Sequence, residues 1–166
     1  KVVIISAMGK TTNALEKVTD AFFAGKKEEA LQSFRAVKLQ HLDEAKFLLV
    51  THLNRLMEQF NNFFTEVEWL LHDKPVREYD YYYDQIVCVG ELLSTSIVSA
   101  YLNEIGINNQ WLDVRDIFRT DDNFRDATID LAFTQQQIDE QVKPVFNRTN
   151  IVITQGFIGC TDENES

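Results

Sequence analysis

Apolar residues recur along this chain in two rhythms, and their alternation sets out its elements. Val2-Val3-Ile4-Ile5 is a short, unbroken β-branched run, the pattern of a strand buried on both faces of a parallel sheet. Ile151-Val152-Ile153-Thr154 repeats that pattern near the other end, and Asn109–Val114 and Ala127–Leu131 read as two further strands. Elsewhere the spacing is helical. Leu15, Val18 and Phe22 share one face of a helix from about Asn13 to Ala24, with Gly25 placed to end it. Lys26–Gln40 reads as a second helix, weakly amphipathic through Ala30, Leu31 and Phe34. A third and longer one follows, because apolar residues step by three and four from Leu42 to Leu70 until Asp73-Lys74-Pro75 breaks it. Val76–Asp84 carries an aromatic and acidic cluster that suits a helix showing tyrosines to a neighbouring layer. Ile86, Val89, Leu93, Ile97, Tyr101 and Ile105 mark one more helix, closed by Gly106. Thr134 and Gln137 have capping-box spacing and open a last helix to about Phe146.

Strands alternating with helices predict an α/β fold with a parallel sheet. In such sheets ligands sit beyond the carboxyl ends of the strands, where Ser6–Thr12 and Gln155–Gly159 emerge. The two loops are expected to face one pocket. The first leads from a strand through Gly9 to a helix start, with Asn13 and Glu16 at capping-box spacing. A helix N-terminus attracts anions, although an ordinary, well-capped βα turn has the same pattern.

Length and charge narrow the chemistry. A chain of 166 residues with 45% apolar content suits one domain with a substantial core. The net charge of −10 and pI near 4.7 argue against nucleic acid and anionic membranes as partners. No apolar run of roughly 20 residues suggests a membrane span, and no signal peptide is recognisable. The chain opens on Lys1 inside a strand, which suggests a piece of something longer. Cys88 and Cys160 form no metal or redox motif; their spacing leaves a disulfide open, and reduced cytosolic thiols are the expectation. His41 and His52 lack a third ligand and read as filler, so no metal site is expected. Two glycosylation sequons, at Asn147 and Asn164, carry no weight without secretion. Arg119, Asp121, Asp122 and Arg125 are placed to form an ion-pair network in a polar loop.

Gly90 and Glu91 stand out within an otherwise apolar helix. A mid-helix glycine costs about 1 kcal/mol relative to alanine and often marks a close approach of backbone or ligand. Glu91 has Val87, Val89, Leu92 and Leu93 around it. A carboxylate buried there needs a cationic partner, from the protein or from a substrate, while an exposed surface glutamate fits the pattern equally.

Three motifs point to one family. Val3–Asn13, Gly90-Glu91-Leu92-Leu93-Ser94 and Ile153–Gly159, in this order and spacing, resemble the aspartokinase signature. Asp113-Val114-Arg115 and Arg119-Thr120 fit a weaker fourth pattern, so the resemblance covers essentially the whole chain. It implies the amino-acid kinase (carbamate kinase-like) fold, a three-layer α/β sandwich, with residues 1–166 as the N-terminal, aspartate-binding lobe only. A helical insertion at about residues 26–74 resembles the longer aspartokinase subtype. The implied reaction moves the ATP γ-phosphoryl group to the side-chain carboxylate of L-aspartate, giving 4-phospho-L-aspartate, the first step of lysine, threonine and methionine biosynthesis. The implied setting is a cytoplasmic homo-oligomer using ATP and Mg2+.

Carried over residue by residue, Ser6, Thr12 and Glu91 would line the aspartate site, with Phe157 at its edge. Hydroxyls and loop amides suit a carboxylate, and Glu91 suits the substrate ammonium. Two family segments are missing: the Lys-Phe-Gly-Gly-Thr-Ser opening and the Gly-Arg-Gly-Gly-Ser-Asp-like run, whose lysine and arginine meet the phosphate and the α-carboxylate. No catalytic residue is therefore expected within these residues, ATP would bind through the missing lobe, and the fragment alone should hold no cofactor and be inactive. Apolar surface around Ile151–Phe157 should then be exposed and invite self-association. The kinase half of a bifunctional aspartokinase–homoserine dehydrogenase, and a non-catalytic α/β binding module, are the alternatives.

Overall fold

The computed structural model describes all residues, Lys1–Ser166. Strand β1 (Val2–Ile5) leads into helix α1 (Thr11–Phe23), then the antiparallel pair α2 (Lys27–Leu48) and α3 (Leu53–His72). Helices α4 (Tyr79–Val87) and α5 (Val89–Glu104), strand β2 (Gln110–Trp111), helix α6 (Leu131–Gln137) and strand β3 (Val152–Gln155) complete it. The fold is the mixed α/β arrangement expected, with a small parallel sheet ordered β1-β3-β2. Val3 and Trp111 both pair with Ile153, which fixes the faces. Trp111 and Gln155 bond to Thr95 of α5 on one face, while Val2, Ile4, Val152 and Thr154 line a cleft on the other. Ile138 and Val142, in the irregular helical turns after α6, line the same cleft.

One apolar core serves all five N-terminal helices, and α2 and α3 belong to it through Phe34, Phe60 and Phe64. The Phe34–Phe64 and Phe60–Phe64 ring centroids lie 6.2 and 5.5 Å apart. His41 is wholly buried in it. Its Nδ1 lies 2.8 Å from the Val37 carbonyl and so carries the proton, leaving Nε2 to accept from Thr11 Oγ1 at 3.4 Å. Burial holds its pKa below the usual value, as suits a neutral core residue. Helices α4 and α5 run almost continuously over Tyr79–Glu104. By length and composition that stretch could span a membrane, its most apolar 18 residues having a mean hydropathy of 1.4, but 61% of those residues are buried inside the fold. Its apolarity is that of a core helix.

Several expectations are corrected. The strand β1 is not buried on both faces: it is an edge, and Val2 and Ile4 are 52% and 66% exposed on the cleft side. Val152 and Ile153 of β3 are buried instead, so the exposed apolar surface falls on β1 and Phe157 rather than on β3. Helix α1 begins at Thr11 with no side-chain cap, so the Asn13–Glu16 box does not form. Asp130, not Thr134, caps α6, taking the Ala132 and Phe133 amides at 3.0 Å each. That cap removes Leu131 from the expected strand, which shrinks to a bridge between Ile129 and Thr120. The strand expected over Asn109–Val114 keeps only Gln110–Trp111, because Asp113 caps a tight turn at Val114–Asp116. The expected ion-pair network dissolves too: Arg119 pairs with Asp162 and Arg125 with Asp80.

The boundary between α2 and α3 lies at Leu49–His52, not near residue 41. The three-and-four seam continues across the break, so apolar spacing cannot reveal it. The cause is distant in sequence. Glu104, ending α5, accepts from the Thr51 amide (3.0 and 3.1 Å), the His52 amide (3.0 Å) and the His52 ring (2.9 Å). It thereby fastens the turn that precedes α3 to the end of another helix. These bonds, Thr51 foremost, lower its pKa to about 2 from an ordinary 4.5. A depressed carboxylate contributes stability above its unfolded value and loses it as pH falls through the folded one. The stability gap between the parent and Glu104→Gln should therefore close between pH 4.5 and about 2, as followed by thermal melts across that range.

Candidate functional site

The open face of β1 and β3, together with the carboxyl end of β3, lines a cleft of about 990 Å³. Helix geometry puts Tyr83, Val87 and Glu91 four residues apart on one face of the α4–α5 run, and all three line it. Cys88 keeps helical angles (φ −56°, ψ −28°), so that face continues across the junction. Thr12 lines the cleft from the first turn of α1, and Gln155–Gly159 line it from the end of β3. Of the two loops expected to share a pocket, Gln155–Gly159 lies along its wall, whereas Ser6–Thr12 reaches it through Thr12 alone.

Thr12, Glu91 and Phe157 thus meet in this cleft, whereas Ser6 is exposed and not on its wall. The Ser6 carbonyl instead accepts from Ser94 Oγ at 2.8 Å, and the next amide, Ala7, faces the Glu91 carboxylate. The β1–α1 loop is therefore stitched to α5 on both sides of Leu92 and Leu93. Gly90 makes this possible: a Cβ there would stand 3.2 Å from Ala7 Cβ, Leu15 Cδ1 and Thr11 Cγ2. The close approach expected of this glycine is made by side chains of the β1–α1 loop and α1, not by a ligand.

Glu91 is half-buried, and its Oε2 is buried with no hydrogen-bond partner. Burial raises its pKa, the Ala7 amide opposes this, and no cation contributes. The cationic partner that such a carboxylate needs is not supplied by these residues. The wall as a whole carries four carboxylates (Asp84, Glu91, Asp121 and Asp126) and one guanidinium, Arg125. Such a wall favours an ammonium group. One anion-seeking feature faces it: no acceptor within the backbone takes the Thr12 and Asn13 amides at the start of α1. Phe157 is fully exposed at the rim and held at φ 60°, a left-handed conformation unusual for an aromatic residue.

The sequence places Gln155 in a pocket loop but assigns its side chain no role. It is buried, accepts from the Val114 amide at 2.8 Å, and donates to Thr95 Oγ1 at 2.7 Å. Thr95 Oγ1 also accepts from Trp111 Nε1 (2.9 Å) and donates to the Glu91 carbonyl (2.8 Å). This network ties β2, β3 and α5 together behind the cleft. The available signal was a glutamine ending a β-branched run that faces a core. Arg125 and Asp84 were missed for another reason: only the fold brings their loop and helix together.

All of residues 1–166 match the model of the amino acid kinase family. Lysine-sensitive aspartokinase 3 of Escherichia coli is 28% identical over 166 residues, covering 100% of this chain and 36% of that protein. Aspartokinase 2, chloroplastic, of Arabidopsis thaliana is 31% identical over 164 residues, covering 95% and 29%. Among solved structures, E. coli aspartokinase III in complex with aspartate and ADP (R-state) superposes with a TM-score of 0.79 at 27% identity, covering 99% of this chain and 36% of that one. The same enzyme in complex with lysine and aspartate (T-state) gives 0.78. The chain spans about a third of the length of these relatives.

Proposed function

The chain belongs to the amino acid kinase family, and from that premise we propose that its cleft is the ammonium-recognising side of an L-aspartate site in an aspartate kinase. The observation that carries this reading is the buried, unpartnered Glu91 Oε2 in a cleft with an excess of carboxylates. Glu91 pairs with the substrate ammonium, and the Thr12 hydroxyl with the free amides of Thr12 and Asn13 receives a carboxylate. Phe157 borders the substrate, and Ser6 acts through the loop that places Ala7 on Glu91. The resemblance to the two E. coli complexes, both of which hold aspartate, supports this choice of ligand.

In this proposal the reaction transfers the ATP γ-phosphoryl group to the β-carboxylate of aspartate, giving 4-phospho-L-aspartate for amino-acid biosynthesis in the cytoplasm of the cell. The residues here do not fit a magnesium–triphosphate site by themselves, since the one guanidinium on the wall is already paired with Asp80. No phosphoryl-transfer step is assigned to them, and no catalytic residue. Their part is to bind and orient the acceptor, which the rest of a homo-oligomeric enzyme would complete. The complete polypeptide carrying these residues, given MgATP, L-aspartate and hydroxylamine, should form aspartyl hydroxamate. Absence of any aspartate-dependent hydroxamate would overturn the assignment.

A further inference from the structure

The loop between Thr120 and Ile129 forms one wall of the cleft, contributing Asp121, Phe124 and Arg125. Its base is fixed by the bridge between Thr120 and Ile129 and by Asp121, whose Oδ1 accepts the Asn123 and Thr128 amides at 3.2 and 3.0 Å. Its tip is fastened to α4. The Arg125 amide donates to Asp84 Oδ2 at 2.6 Å, and its guanidinium meets Asp80 at 3.1 Å and lies 4.3 Å from the Tyr83 ring centroid. Phe124 packs edge-on against Tyr81 at 5.2 Å.

Two features mark this fastening as more than surface packing. Arg125 is held at φ 66°, a conformation that a non-glycine residue keeps only where its surroundings hold it. Asp84 is half-buried under the loop, and the Arg125 amide is the one hydrogen bond its carboxylate receives. Opening the loop would hydrate Asp84 and release the strained backbone, so the closed state is opposed from within. Asp84 and Glu91 stand seven residues apart on the same helical run, roughly 10 Å, which places the fastening at the Glu91 end of the cleft.

We propose that residues 121–128 are a lid over that end of the cleft, and that Arg125 on Asp84 and Asp80 is its clasp. A ligand enters when the clasp opens and is retained when it closes. Arg125 and Asp84 act by positioning the lid. That the ligand is L-aspartate rests on the function proposed above; the clasp does not.

Hydrogen exchange on the complete protein tests both parts. Asp84→Asn keeps the shape but replaces a charged acceptor with a neutral one, so amides over 121–128 should exchange about five- to tenfold faster. Peptides from α2 and α3 should be unaffected, and Asp84→Glu should restore part of the protection. Unchanged exchange over 121–128, or equal acceleration throughout the protein, would overturn the clasp. L-aspartate should slow the same loop in the parent protein, and less in Asp84→Asn. If the variant loosens the loop but aspartate protects neither it nor the peptide around Glu91, the clasp stands and the aspartate assignment fails.

Discussion

Replacing Glu91 with glutamine in the complete protein should lower kcat/KM for L-aspartate ten- to a hundredfold and leave the KM for ATP nearly unchanged. Glutamine keeps the shape of the side chain and an oxygen for the Ala7 amide, so the loop stays seated. What it removes is the charge that Oε2 holds in reserve. A hydrogen bond to a charged group is worth about 1.5–3 kcal/mol, and 1.4 kcal/mol corresponds to tenfold in affinity. The pH dependence has a definite sign. Burial raises the Glu91 pKa, so the parent should lose aspartate affinity on acidification at a higher pH than an ordinary glutamate would impose. The variant, with nothing to titrate there, should lack that limb of the profile. Thr12→Val should act in the same direction more weakly, through loss of a neutral donor. Steady-state kinetics across pH decides the matter: unaltered aspartate kcat/KM in Glu91→Gln would make Glu91 a helix residue and no more.

The parts of the fold that hydropathy reveals are those whose environment is set locally or by the sheet alone. Val152 and Ile153 read as a doubly buried strand and are one. Val2 and Ile4 carry the same pattern and lie open, because β-branched composition makes a strand without saying what covers it. Helix ends show the same division. Gly25 and Gly106 end their helices where expected, at φ 74° and 83°, since a left-handed C-terminal residue is a local requirement. The start of α3 depends on Glu104, some fifty residues away, and no local spacing reports it. In the cleft, Thr12, Glu91 and Phe157 are found through motifs, while Arg125, Asp84 and Gln155 owe their roles to partners that only folding supplies.

Gly90 is the position where fold and site depend on the same missing atom. Alanine there gains up to about 1 kcal/mol of helix propensity. Against that, its Cβ meets three carbons at 3.2 Å at once, on Ala7, Thr11 and Leu15. Leu15 and Thr11 are buried in the core and have little room to move, so the β1–α1 loop is the part that yields. Gly90→Ala should therefore change stability by no more than about 1 kcal/mol, yet raise the KM for aspartate by shifting the Ala7 amide away from Glu91. Valine adds two more methyl groups to the same space and brings a β-branch into a helix. Overpacking of this kind costs about 1–3 kcal/mol, and the displaced loop adds the Ser94–Ser6 hydrogen bond to the loss. A domain of this size loses roughly 2–4 °C of melting temperature per kcal/mol, so Gly90→Val should melt about 4–16 °C below the parent and bind aspartate poorly. A Gly90→Val protein that melts with the parent would show that the loop does not rest on α5, and the contact proposed to aim Ala7 at Glu91 would fall with it.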